Sequence, residues 1–260
     1  MDEISKFSTF SGNEIQIINK LTSSKKDIFY LEEIQQYMPP SYKYTPQFIY
    51  RLKRKKILTP IKRGVYSFSP IAAQPTGWQI NTFKIGNIFF ANYKYYIGHV
   101  TAFNMYGLTE QIPVVTFFFN TKMSAEKEIN YLPFKFIKLK EEFFYGIKDM
   151  EINDEIVKIS DFERTIIDFV DKWNFREARG RVVARIKDNK CDLNKLIEYA
   201  VRFPKIRTRK KMGVIFDKAQ VDERLTAPLY ESVKNTALTS TCRFIMEGKK
   251  NKKWGIIVCE

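Results

Sequence analysis

The chain has 260 residues, 44% hydrophobic and 15% aromatic, which supplies a core and excludes an intrinsically disordered protein. Its net charge of +15 and pI of about 9.5 predict a polyanionic partner. The longest apolar run lies near Val114–Phe119, far short of a membrane span, so membrane binding gives way to nucleic acid.

Ile15, Ile18 and Leu21 recur at helical spacing across 12–24, predicting a first helix. Leu31, Ile34 and Met38 predict a second across 30–38, stopped by Pro39-Pro40. A third is expected from Pro46 to about Lys56: Thr45 suits an N-cap, and Pro46 suits a first turn where its missing N–H costs nothing. At ~100° per residue, Phe48, Ile49 and Leu52 share one side of that helix. Gln47, Tyr50, Arg51 and Arg54 fall opposite, flanked by Lys53 and Lys55. The segments ILTPI and VYSF then read as two strands joined at Lys62-Arg63-Gly64. Gly64 can take a positive φ in the turn, and Pro60 restricts the first strand to an edge.

Seven of the 21 residues from Phe48 to Phe68 are Lys or Arg and none is acidic, where a merely solvated face would mix its charges. Three short helices followed by a basic-tipped hairpin make the winged helix-turn-helix pattern. It assigns Gln47, Tyr50, Arg51 and Arg54 to base edges, and Tyr44, Thr45, Lys53, Lys55, Lys62 and Arg63 to phosphates.

The Pro-, Ser- and Gly-containing stretch after Phe68 predicts a linker at 71–77, between a domain at 1–70 and a mixed α/β domain at 78–260; the class is α+β. In the second domain, helices are expected at 78–90, 100–107 and 192–203, and strands at 113–120, 133–140 and 154–160. A helix begins near Ser160, where Ser160 and Glu163 have capping-box spacing and Arg164 and Asp168 form an i,i+4 pair. The C-terminus is expected to be a hairpin around a basic Gly-Lys-Asn turn. The basic run Lys205, Arg207, Arg209, Lys210 and Lys211 could be a second phosphate contact, a face for an acidic protein, or a solvated stretch. Residues 141–171 carry ten acidic and three basic residues, whereas 172–260 carry 22 basic and ten acidic.

Catalytic motifs are lacking. There is no Gly-rich phosphate loop and no zinc-ligand spacing, and the single histidine, His99, has no evident nucleophile or orienting group beside it. Asp161, Glu163 and Asp168 are the nearest approach to a magnesium-binding set, but a cap, a helix N-terminus and an ion pair account for each. Glu247-Gly248-Lys249 matches half of a nuclease signature without the upstream Asp. Neither a metal nor a cofactor is expected. Cys191, Cys242 and Cys259, odd in number and widely spaced, are expected as reduced thiols in a cytoplasm. The opening MDEISKFSTF has no apolar core and does not read as a secretion signal.

Taken in order, ILTPIKRGVYSF, YYIGHVTAFNMYGLTEQIP, VKISDFERTIIDF, KKMGVIF and KKWGIIV resemble the AbiEi-type antitoxins of type IV toxin–antitoxin (abortive infection) systems. The set runs from about residue 12 to 258; His99 and Phe162 depart from residues commoner in that family. The resemblance implies a cytoplasmic, non-enzymatic, two-domain transcriptional autorepressor. Its winged helix would bind inverted repeats in duplex DNA, as a dimer in one arrangement, and its second domain would antagonise a nucleotidyltransferase-type toxin. Three alternatives remain beside it: a stand-alone winged-helix regulator, a magnesium-dependent nucleic-acid enzyme, and a module whose acidic and basic segments recognise another protein.

Overall fold

The computed structural model describes residues 10–38, 45–69, 81–152, 155–242 and 248–259. It divides into two compact units, one of residues 1–82 with 127–133, the other of 83–126 with 134–260. The expected linker at 71–77 lies outside the described residues.

In the first unit, α1 (Gly12–Ser23) begins with a capping box. Ser11 accepts from the Glu14 amide, and Glu14 accepts back from the Ser11 amide at 2.8 Å. A short strand, β1 (Ile28–Tyr30), follows, taking Tyr30 from the helix expected at 30–38, and leads into α2 (Leu31–Gln36), which ends two residues short of Met38. Next, α3 (Thr45–Arg54) includes Thr45 as its first residue, so Thr45 is not the N-cap. β2 (Leu58–Lys62) and β3 (Val65–Phe68) are antiparallel across the predicted turn, with Gly64 at φ +74°, and β1 completes the sheet in the order β1-β3-β2. Ile17, Ile18, Leu21, Phe29, Ile34, Phe48, Ile49, Leu52, Ile57, Leu58 and Phe68 form one core, so the apolar stripe of α3 is buried as its periodicity requires.

The second unit mixes helices and sheet, and the chain as a whole is α+β. After α4 (Lys84–Phe90) come β4 (Tyr95–Ile97), α5 (Val100–Met105), β5 (Thr116–Asn120), β6 (Ala125–Ile129), β7 (Leu132–Lys138), β8 (Ile147–Ile152) and β9 (Glu155–Ser160). β7, β5, β4, β9 and β8 lie side by side in that order in one sheet; β5 runs parallel to β7 and β4 parallel to β9, while β4–β5 and β8–β9 are antiparallel. β5 begins at Thr116 rather than Pro113, leaving Val114 exposed. The helix expected at 78–90 is shorter, since 81–83 precede α4 as a turn and 78–80 lie outside the described residues.

Five helices follow: α6 (Phe162–Lys172), α7 (Phe175–Lys187), α8 (Leu193–Arg202), α9 (Ile206–Lys218) and α10 (Glu223–Glu231). Their apolar faces, with Phe103, Leu108 and Trp254, make a second core. The N-cap of α6 is Asp161, which accepts from the Arg164 amide at 2.9 Å; Ser160 ends β9 and exchanges a hydrogen bond with the Thr165 hydroxyl instead. A small sheet closes the unit: β10 (Thr239–Ser240), β11 (Lys249–Asn251) and β12 (Ile256–Val258), in the order β10-β12-β11. Lys249 and Lys250 belong to β11, so the turn of this hairpin is Lys252–Gly255 rather than the Gly-Lys-Asn segment. Cys242 and Cys259 follow the parallel pair β10 and β12 and are joined in a disulfide, against the expectation of three free thiols. Strand pairing brings together two cysteines 17 residues apart, a proximity that spacing alone does not reveal. Cys191 is free.

Candidate nucleic-acid interface

The exposed side of α3 carries the residues its periodicity assigned there. Gln47, Tyr50, Arg51, Lys53 and Arg54 are all exposed, Tyr50 at 59% of its surface. Thr45 is half-buried at the start of the same helix, and Tyr44 lies outside the described residues. Lys62 and Arg63 are exposed at the β2–β3 turn. No carboxylate belongs to α3 or to this turn, so their exposed surface is polar, aromatic and basic.

One acidic group reaches this surface from below. Glu14 is buried in the first turn of α1, where the helix dipole favours it, and its Oε2 accepts from Lys55 Nζ at 2.7 Å. Arg51 Nε stands 3.9 Å from Glu14 Oε1. Burial by itself would raise the Glu14 carboxyl; the Lys55 ammonium, the Ser11 amide and Arg51 outweigh it and hold the group below its ordinary value. Lys55 also lies over the Phe10 ring at 4.5 Å from its centroid. Among the predicted phosphate ligands, then, Lys55 anchors α1 to the end of α3. Arg51 stands between the two roles, 48% exposed yet drawn toward the same carboxylate.

The second basic run is not a surface. It forms the first turns of α9, and two of its lysines are interior. Lys210 is fully buried and donates to the carbonyls of Ala237 at 2.6 Å and Gly255 at 3.0 Å. Lys211 donates to the Val170 carbonyl at 2.8 Å, and burial pushes its ammonium down to about 8. Arg209 is half-buried on the Phe203 carbonyl, and Lys205 pairs with Asp171 at 2.7 Å. Only Arg207 and Lys205 are exposed. Continuation of the helix past Lys205 puts successive residues on different faces, which a linear charge count cannot register.

Seven of the ten carboxylates of the acidic segment are likewise paired with cations of their own unit. Asp149 pairs with Lys158, Glu155 with Lys84, Glu141 with Lys94, and Asp171 with Lys205. Lys195 bridges Asp161 and Glu163 at 3.0 and 3.2 Å. Asp168 meets Arg164 at 3.1 Å, and that buried guanidinium also donates to the Phe143 carbonyl and lies 4.5 Å from the Tyr145 ring centroid. Asp161, Glu163 and Asp168 are therefore each tied to a cation, and no group of three potential ligands gathers among the described residues. Glu247 of the partial nuclease signature lies outside those residues.

His99 precedes α5 at φ +57° and stacks on Phe117, ring centroids 4.3 Å apart. Burial, reinforced by Lys172 and Lys135, pushes its imidazole down to about 4. No nucleophile is hydrogen-bonded to it among the described residues; its Nδ1 is buried without a partner.

No protein-family model matches this chain, and no curated protein matches it. Among solved structures, it is similar to the crystal structure of the RV2827C protein from Mycobacterium tuberculosis, with a TM-score of 0.65 at 12% identity, covering 96% of this chain and 92% of that one. At that identity the likeness concerns the fold alone.

Proposed function

We propose that the first unit is a winged helix-turn-helix domain and that the chain is a sequence-specific DNA-binding autorepressor and type IV antitoxin. The observation that carries the DNA part is the exposed crest of α3, where Gln47, Tyr50, Arg51 and Arg54 stand over a buried Phe48–Ile49–Leu52 stripe. Arginine can take guanine O6 and N7 bidentately and glutamine adenine N6 and N7, so this residue set suits a major groove. Lys53, Lys62 and Arg63 would hold phosphates, with Lys62 and Arg63 on the wing. The element order helix, strand, two helices and a two-stranded hairpin supports the same reading.

The antitoxin part rests on the ordered set of AbiEi-like motifs. Two of them meet in space: Gly213 of KKMGVIF lies against the Trp254 indole of KKWGIIV. The partner on this reading is a nucleotidyltransferase-type toxin encoded nearby, antagonised with or without a stable complex. A catalytic role for the chain has little support, since Asp161, Glu163 and Asp168 are engaged with Lys195 and Arg164.

The test is fluorescence anisotropy of the full chain on its own upstream duplex and on a shuffled duplex, across a salt series. A preference of about a thousandfold is expected, with a steep salt slope. Arg54→Ala should cost about 1–3 kcal/mol and relax the preference at one base position, and Lys62→Ala should weaken both duplexes alike and lower the slope by about one. Equal wild-type affinity for both duplexes would sink the regulator reading. Co-expression with a neighbouring nucleotidyltransferase reading frame tests the antitoxin part: growth not restored by this chain would remove it.

A further inference from the structure

Helix α8 turns one side into the core and leaves the other beside an open groove. Leu196, Tyr199 and Ala200 are buried, with Phe203 at the helix end, as the spacing of α8 requires. On the other side, Asn194, Ile197, Glu198, Val201 and Arg202 line the groove, and Leu225 and Pro228 of α10 form its second wall. The groove encloses about 450 Å3. Leu225 is 43% exposed, and Pro228 is exposed as well. At about 100° per residue, Ile197 and Val201 lie nearest the core face of α8, while Glu198 and Arg202 stand beyond them on the solvent side. The groove therefore has an apolar floor and a charged rim.

We infer that this groove is the interface between two copies of this chain, paired about a two-fold axis with their α8 helices antiparallel. The rim charges carry the argument. Glu198 precedes Arg202 by about one turn, the order in which a helical ion pair closes most readily. Yet neither residue forms an ion pair among the described residues. Arg202 lies instead over the Tyr145 ring, 4.3 Å from its centroid, a stacking that leaves guanidinium N–H groups free to donate. A two-fold axis at the level of Ala200, midway between the two charges, sets Glu198 of each copy against the second copy's Arg202. The pattern is thus complementary to itself, as an isologous contact demands. A foreign helix would have to supply both charges in matching order; a second copy does so by symmetry. The lining also sums to zero formal charge in a chain of net +15, so repulsion between copies is locally small at this face. Pro228 points the same way. It is the sixth of the nine residues of α10, where it lacks the N–H owed to the Arg224 carbonyl, and as an exposed residue it is not there to fill the core. Its ring forms part of the groove wall. A small ligand fits less well. The groove runs about 12 Å along α8 and is open on its outer side, whereas small-molecule sites bury about 70–90% of their ligand.

The experiment uses the full chain without DNA, so it stands or falls separately from the DNA-binding reading. Sedimentation velocity across the micromolar range should show the wild-type chain passing from monomer to dimer. Glu198→Arg and Arg202→Glu each place like charges opposite one another twice across the axis, and each should weaken the dimer by roughly tenfold or more. The double variant Glu198→Arg/Arg202→Glu restores opposite charges in the reversed order and should return the dissociation constant to within about threefold of wild type. Leu225→Asp, at a side chain already partly exposed, should weaken the dimer without the rescue. All four changes lie on the surface, and circular dichroism melting should show the variants folded. A wild-type chain that stays monomeric at every concentration would overturn the interface, whatever else the groove accepts. So would single variants that dimerise as wild type does, because the two-fold contact would then lie elsewhere. A double variant no tighter than the singles would overturn the pairing of Glu198 with the second copy's Arg202 and the antiparallel arrangement with it.

Discussion

Glu14→Gln separates what holds the first unit together from what that unit presents to DNA. The substitution preserves size, and glutamine can still accept from the Ser11 amide, so the capping box survives. What is removed is the negative charge facing Lys55 at 2.7 Å and Arg51 at 3.9 Å. Breaking a fully buried ion pair costs about 3–5 kcal/mol. Here Lys55 is 14% exposed and can turn toward water, so the expected loss is smaller, about 1–3 kcal/mol. The pH dependence has a definite sign. The Glu14 carboxyl is held below its unfolded value, so its contribution is complete above the unfolded pKa and is lost as pH falls through the folded one. The variant should therefore be less stable at neutral pH and should lack that acid-side loss. Tryptophans fall in both units, Trp78 in the first and Trp173 and Trp254 in the second, so their fluorescence would mix the two unfoldings, and hydrogen exchange of peptides from α1 and α3 is the appropriate assay. The same change removes a negative charge beside the α3 surface, and affinity for a shuffled duplex should rise on the DNA-binding reading. Exchange in α1 and α3 within about 0.5 kcal/mol of wild type, together with an unchanged acid limb, would refute the assignment of Glu14 as the anchor.

Two glycines in helices of the second unit should respond oppositely to alanine. At Gly213 an added Cβ would stand 2.2 Å from the Trp254 ring, which is buried and fixed by its indole N–H to Asp217 at 2.7 Å; overpacking should outweigh the gain in helix propensity and destabilise by about 1–3 kcal/mol in urea denaturation. Gly180→Ala, with open space around it, should stabilise by up to about 1 kcal/mol, and a loss of stability there would contradict the exposed geometry of α7. His99, pushed down to about 4 in the folded chain, predicts that stability falls as pH drops from about 6.5 to 4, by about 2–3 kcal/mol in total. A His99→Phe variant should lose that dependence, and an unchanged midpoint-versus-pH curve for it would count against the buried neutral imidazole.

The apolar spacing marked three helices, and Phe48, Ile49 and Leu52 of α3 are buried as it demands; in α1 Ile18 and Leu21 are buried but Ile15 is exposed and Ile17 takes its place in the core, and in α2 only Ile34 is fully buried. Gly64 and its basic neighbours marked the β2–β3 turn, because a residue without Cβ takes positive φ at little cost. Those are local signals, and they carried the candidate interface on α3 and the hairpin. The three-residue strand β1 was invisible, since its place in the sheet comes from pairing with β3 some 37 residues onward, Tyr66 opposite Phe29. Charge was the least legible property. The acidic segment looked like a recognition surface, yet its carboxylates meet lysines such as Lys84, Lys195 and Lys205 across the fold. Lys210 and Lys211, adjacent in a basic run, are turned inward onto carbonyls of distant segments. Arg176, Arg181 and Lys187 of α7, unremarkable in a linear count, face outward. Composition set the net charge of this chain; tertiary structure decided which charges are neutralised at close range, because Coulomb energy depends on distance and dielectric and neither follows from position along the sequence.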